Sequence, residues 1–257
     1  MIKFFRKIRQ KLLVENRFNK YLIYAVGEIV LVVIGILIAL QINNWNLERQ
    51  DAKFERDILY DIKRSIENDL VGFEEQLQRV IRKDQAIDTI LLVMNKKLVL
   101  TEKELTKYQN RVGLGNLLSY DKAAFETLKN RGLGVITSDS LKKSITRLYE
   151  VTFPKYHEFI EDHYQYYRPR IDAAFNGLKK IDFYEDYFKP SKDSTGFFVN
   201  RKFDFDKIYT QEYKDYLLIQ ANFKRDNWWR LLAVIRKTKV VLELINQEIQ
   251  TRYESES

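Results

Sequence analysis

The chain has 257 residues, with 44 Lys or Arg against 36 Asp or Glu (a formal charge of +8), no cysteine, 9 Gly and 3 Pro. The absence of cysteine excludes disulfides and thiolate metal sites, and the scarcity of Gly and Pro argues for long helices and against an all-β fold. The charge does not point to nucleic acid: residues 1–46 hold seven basic and two acidic residues and the other 211 hold 37 and 34, so the excess is a signal of membrane topology and lipid headgroups.

Residues 1–20, MIKFFRKIRQKLLVENRFNK, set Phe4, Phe5, Ile8, Leu12 and Leu13 against a basic side. This pattern predicts an amphipathic helix lying on the inner leaflet, with a plain basic flank as the alternative. The next stretch, YLIYAVGEIVLVVIGILIALQINNW at 21–45, organises the chain. From Ile29 to Leu40 every residue is apolar or Gly, and the extended run is long enough for a hydrocarbon core of roughly 30 Å. Tyr21 and Tyr24 at one end and Trp45 at the other suit the two membrane interfaces. Lys3, Arg6, Lys7, Arg9, Lys11, Arg17 and Lys20 all precede the span, so the positive-inside rule expects a cytoplasmic N-terminus. A cleaved signal peptide is the rival reading; the apolar run is long for one, and no small-x-small site precedes Asn43, Asn44 and Asn46.

One carboxylate, Glu28, lies in the span. It shares a helical face with Val32, Gly35, Ala39 and Ile42, and Gly35 and Ala39 form a small-xxx-small pair that permits close helix approach. Three readings of Glu28 stand side by side: a residue one turn inside the interface that reaches headgroups, a helix–helix contact, and a proton-transfer group.

Past the span, Leu47, Phe54, Ile58, Ile62, Ile66, Leu70, Phe73, Leu77 and Val80 recur at helical steps, and Ile87, Leu91 and Met94 continue them. Unbroken from 21 to 96, such a helix would run about 110 Å, so a bend or break is expected, with Gly72 as the weak point. Thr101 to Glu104 is a capping-box pattern opening a helix to about Tyr108. Gly113 and Gly115 mark a loop, 120–130 reads as helix, and Gly132 is placed as its left-handed cap. Thr137 to Asp139 starts another helix with Leu141, Ile145, Leu148 and Tyr149 inward, and Pro154 bends or restarts it.

Residues 153–187 are rich in aromatics, among them Tyr156, Phe159, Tyr164, Tyr166, Tyr167, Phe175, Phe183, Tyr184 and Tyr187. They are read as core, with a stacking pocket as the alternative. Residues 189–200 form a loop, and a last helix runs from about Gln211 to Arg252 with an inward seam of Trp228, Leu231, Ile235, Leu242, Ile245 and Ile249, Thr238 filling its gap. Trp228 is expected inward and Trp229 partly exposed, a possible partner contact. The fold class expected is all-α: an N-terminal transmembrane helix running into an elongated extracytoplasmic antiparallel helical bundle, the last helix packing back on the juxtamembrane one. The expected organisation is a cytoplasmic segment (1–20), a transmembrane helix (21–46) and an extracytoplasmic domain (47–257).

The stretch FFRKIRQKLLVENRFNKYLIYAVGEIVLVVIGILIALQINNWN at 4–46, and more loosely YDKAAFETLKNRGLGVITSDSLKKSITRLYE at 120–150, resembles a family of bacterial single-pass membrane proteins classed only as a domain of unknown function. The resemblance implies a short cytoplasmic tail, one span and an extracytoplasmic helical domain; it implies no activity. No resemblance extends past about Pro154.

Catalytic signatures are absent: there is no G-x-S-x-G elbow, phosphate-cradling Gly loop or dinucleotide fingerprint. His157 and His163, six residues apart near Glu158, Glu161 and Asp162, face apart on a helix and read as a polar surface. No cofactor, metal site or nucleic-acid partner is expected. The reading is a membrane-anchored, non-enzymatic helical interaction or scaffold protein in the bacterial inner membrane, partnered by the bilayer and by further copies or another membrane protein. The alternatives are an accessory subunit of an ion-coupled or transport complex acting through Glu28, and a ligand-sensing ectodomain lacking its own output domain.

Overall fold

A computed structural model describes residues 18–112, 119–180, 202–203 and 205–254. The basic segment over 1–17, the Gly113 and Gly115 loop, the 189–200 loop, the rings of Phe183, Tyr184 and Tyr187, and the side chains of Tyr21, Tyr24 and Phe175 lie outside the described residues. Among the described residues the chain is helical apart from turns, connections and one short antiparallel pairing of β1 (Lys179–Lys180) with β2 (Lys202–Phe203). Its contacts define two units, Met1–Asp57 and Ile58–Ser257.

Helix α1 runs Phe18–Met94, 77 residues without interruption. The break expected at Gly72 is not there. A single Gly costs a helix only about 1 kcal/mol, and buried neighbours on either side, Leu70 and Phe73, hold the turn in place. The helix ends with Lys96 in a left-handed conformation (φ 56°), where the N–H groups of Lys96 and Lys97 donate to Val93 and Leu92 carbonyls.

In the first unit, the residues from Ile29 to Leu40, an unbroken run of apolar residues and Gly, are exposed on all sides.

In the second unit, α1 contributes one buried stripe. Ile58, Ile62, Ile66, Leu70, Phe73, Val80 and Ile87 lie in it as the periodicity predicts. Helix α2 (Glu102–Val112) opens with the predicted capping box: Thr101 N donates to Glu104 Oε2 at 2.9 Å and Glu104 N to Thr101 Oγ1 at 3.3 Å. Helix α3 (Ala123–Arg131) ends at Gly132, whose φ of 108° and ψ of 128° lie outside the left-handed helical region expected for the cap, in space open mainly to glycine. Helix α4 (Asp139–Arg147) is capped by Ser138 and buries Leu141 and Ile145. A π-type turn over Leu148–Thr152 follows with helical backbone on both flanks, and α5 (Phe153–Leu178) continues it, with Pro154 just after the π turn.

Helix α6 (Gln211–Ile249) is capped by Thr210 and buries Leu231, Val234, Ile235, Val241, Ile245 and Ile249. Thr238 fills the seam by donating its hydroxyl to Val234 O at 2.8 Å. Trp228 and Leu242 are only half-buried, Val234 and Val241 taking the inward positions.

Within the second unit, α6 is antiparallel to α1: Tyr60 bonds Glu254 at 3.0 Å, and Glu74 pairs with Lys239 at 2.7 Å. Helix α5 instead runs parallel to α1. Asp69 faces Tyr149, Phe73 meets Phe153 ring to ring at 5.6 Å, and Lys83 faces His163, a constant offset of 80 residues. The bundle is therefore not antiparallel throughout: the chain is back at the level of Asp69 by Asp121, well before α5 begins. A separate end of the core joins Ile87, Ile90, Leu105, Val112, Ile208, Tyr213 and Leu217.

Candidate functional site

The apolar half of α1 is the first candidate. An 18-residue window reaches a mean hydropathy of 2.6 and none of it is buried. Ile23, Ile29, Leu31, Val32, Leu37, Ile42 and Trp45 are all exposed by more than half. Apolar surface on this scale marks contact with lipid or protein. Glu28 is half-buried and borders a shallow groove with Ala25, Ile29, Val32 and Val33. A Cβ added at Gly35 would meet nothing within 4 Å, so no packing within the chain requires a glycine there. Glu28, Val32, Gly35 and Ala39 thus keep the common face read from their spacing.

The second candidate lies in the other unit and joins residues far apart in sequence. Asp69, on the buried stripe of α1, accepts the backbone N–H of Asp121 on both carboxylate oxygens, at 3.0 and 3.2 Å. Ser65, one turn before it, donates its hydroxyl to Asp121 Oδ2 at 3.0 Å. Asp121 Oδ1 in turn accepts the Ala123 N–H at 2.9 Å, holding the start of α3. Asp69 is only 8% exposed, whereas Asp121 opens to solvent. Tyr149, 4% exposed, lies within the field of both carboxylates, and its buried hydroxyl has no hydrogen-bond partner. Tyr120 lies beside it, ring centroids 6.5 Å apart. Burial raises the Asp69 carboxyl from 3.8 to about 6; the Asp121 N–H pulls it back and the Asp121 charge pushes it up further. Burial raises both Tyr149 and Tyr120, with Asp69 adding to each.

Asp69 belongs to a row. Asp69, Gln76 and Lys83 follow at seven-residue steps along α1, all buried, and Tyr149, Tyr156 and His163 follow at the same steps on the facing segment. In the middle of the bundle Tyr156 donates to Asn227 Oδ1 at 2.7 Å, both residues buried. At the far level, burial lowers the Lys83 ammonium to about 8, Asp84 opposing. Burial, then the Lys83 charge, lowers His163 to about 4, so its imidazole is neutral near neutral pH. That ring stacks on Phe223 at 3.6 Å between centroids. Near α2, the Tyr213 hydroxyl bonds Gln109 Oε1 inside the core.

His157 is exposed and His163 half-buried, and among the described residues no three His, Cys, Asp or Glu side chains converge as metal ligands. Of the aromatics on α5, Phe153 and Tyr156 are core, and Phe159 stacks on Phe223 beneath Arg230 (4.2 Å). Tyr164 and Tyr166 face water. Trp229 is 59% exposed and meets the half-buried Trp228 edge to face at 4.5 Å. Sequence reading missed the Ser65–Asp69–Asp121–Tyr149 cluster and the Lys83–His163 level. The available signal was a polar residue every seventh position inside an otherwise apolar stripe.

No curated protein and no solved structure matches the chain. A family profile does match, over residues 28–168, from Glu28 through the carboxylate cluster and most of α5. The chain belongs to DUF6090, a family of unknown function.

Proposed function

We propose that this protein is a membrane-anchored helical interaction protein of the bacterial inner membrane, non-enzymatic and self-associating. In this reading the N-terminus is cytoplasmic, the apolar half of α1 spans the bilayer and the second unit is extracytoplasmic. One observation carries it: a window with mean hydropathy of 2.6 on a helix with none of that window buried. A core helix of a soluble protein hides such a window. A cleaved signal sequence is disfavoured because the helix continues without a break from that window through Ile58 and on to Met94. Self-association is assigned to the Glu28, Val32, Gly35 and Ala39 face, where the open space beside Gly35 permits a second backbone to approach.

The test has two arms. A reporter active only outside the cytoplasm, fused after Ser257, is expected to be active, with the full-length chain resisting alkaline extraction from membranes. Native mass measurement in mild detergent is expected to give several copies. A soluble full-length chain or an inactive reporter refutes the anchor and its topology, and a monomer refutes the assembly.

A second reading rests on Glu28 being the sole charged residue between Tyr21 and Trp45. An accessory subunit of an ion-coupled complex would use it, and would co-purify with a polytopic membrane protein. Glu28→Gln would then abolish the partner's activity while leaving the amount of complex unchanged; an undiminished activity removes this reading.

A further inference from the structure

We propose that Asp69 and Asp121, with Ser65 and Tyr149, form a binding site for a hard divalent cation of the Mg²⁺ or Ca²⁺ type. The donors come from three separate segments. Asp69 and Ser65 lie one turn apart on α1, Asp121 precedes α3, and Tyr149 stands in the π-type turn before α5. The segments are drawn together by the bonds from Asp121 N to Asp69 (3.0 and 3.2 Å) and from Ser65 Oγ to Asp121 Oδ2 (3.0 Å). Two carboxylates held this closely repel each other, and among the described residues no cationic side chain is bonded to either. The second, independent observation is Tyr149, 96% buried by its exposure of 4%, whose hydroxyl stands unpartnered in the field of both carboxylates. A buried hydroxyl without a partner is costly and calls for a polar occupant beside it.

The chemistry of the donors selects the ion. All are oxygens, which suit Mg²⁺, Ca²⁺ or Mn²⁺ and disfavour softer metals. A small divalent ion commonly binds through one or two carboxylates and keeps several waters. Asp69 and Ser65 form the buried floor, and Asp121, exposed at the mouth, gives the ion its way in. Binding would tie α3 to α1 and to the head of α5, making one end of the bundle responsive to divalent cations.

The probe is Tb³⁺, a hard-cation substitute whose emission is sensitised by nearby tyrosines, here Tyr120 and Tyr149. The full-length chain in detergent, excited in the tyrosine band, is expected to give Tb³⁺ emission that millimolar Mg²⁺ or Ca²⁺ displaces. Asp69→Asn is expected to weaken Tb³⁺ binding by roughly tenfold or more, and Asp121→Asn likewise. Because Asp121 is exposed, its variant keeps the test decisive if Asp69→Asn does not fold. Asp215→Asn, on the outer side of α6, is expected to change nothing. The same cations are expected to raise the melting temperature by about 2–4 °C. Absence of sensitised emission, or emission and melting indifferent to both Asp69→Asn and Asp121→Asn, overturns the proposal.

Discussion

Replacing Asp69 with Asn in metal-free buffer tests the electrostatics of the carboxylate cluster through the pH dependence of stability. The folded carboxyl sits near 6 against an ordinary value of 3.8, chiefly because it is buried. A group whose folded pKa is raised binds its proton more tightly when folded. Its contribution is therefore complete below about pH 4 and is lost as the pH rises through 6. The difference between 3.8 and about 6 sets an upper bound of about 3 kcal/mol. Because Asp121 opens the cluster to water, screening reduces this to about 1–2 kcal/mol. Asn copies the shape of the neutral acid and still accepts the Asp121 N–H. With chelator present, Asp69→Asn is expected to match or exceed the parent by about 1–2 kcal/mol near pH 7 and to lose most of that advantage near pH 4. Urea melts of both proteins at the two pH values measure it, the difference cancelling other titrating groups. A gap that does not change with pH, or an Asn variant much weaker near pH 7, refutes the reasoning.

Tyr156→Phe strands the buried Asn227 oxygen and is expected to cost about 1–3 kcal/mol; the double variant Tyr156→Phe/Asn227→Leu should cost clearly less than the two single changes summed, read as a double-mutant cycle of urea melts. Gly35→Leu is expected to leave the second unit's melting temperature unchanged, since a Cβ there meets nothing within 4 Å, while lowering the copy number seen by native mass measurement. Lys96→Gly removes a side chain from a left-handed position (φ 56°) and is expected to stabilise the folded chain by about 0.5–1 kcal/mol, seen as a higher melting temperature.

Local rules made much of the helical architecture legible. The Thr101–Glu104 box and the Ser138 start each depend on a few adjacent residues, and each lies where the residues placed it. Gly72 misled because its helix cost of about 1 kcal/mol was weighed without the packing around Leu70 and Phe73. The carboxylate cluster could not be read from local signals. Asp69 and Asp121 are 52 positions apart, and the bond joining them uses a backbone N–H, which leaves no trace in residue type. Lys83 was likewise passed over because apolar periodicity counts apolar residues, and a charge turned inward registers as a gap in the stripe. The parallel run of α1 and α5 depends on how the chain returns from the end of α1 to the level of Asp69, which periodicity within a helix does not encode.

The seven-residue row has a consequence for how this chain tolerates length changes. Inserting one residue between Asp69 and Lys83 turns everything beyond it by about 100°. Lys83 would leave His163 while Asp69 kept Tyr149, so the two levels could not both be satisfied. An insertion of seven restores the facing but doubles a spacing that α5 would have to match. The connection over 95–101, where α1 has ended and α2 has not begun, carries no such phase. Relatives of different length are therefore expected to differ in connections of this kind, or to change α1 and α5 together, and a chimera that lengthens α1 alone should fold poorly.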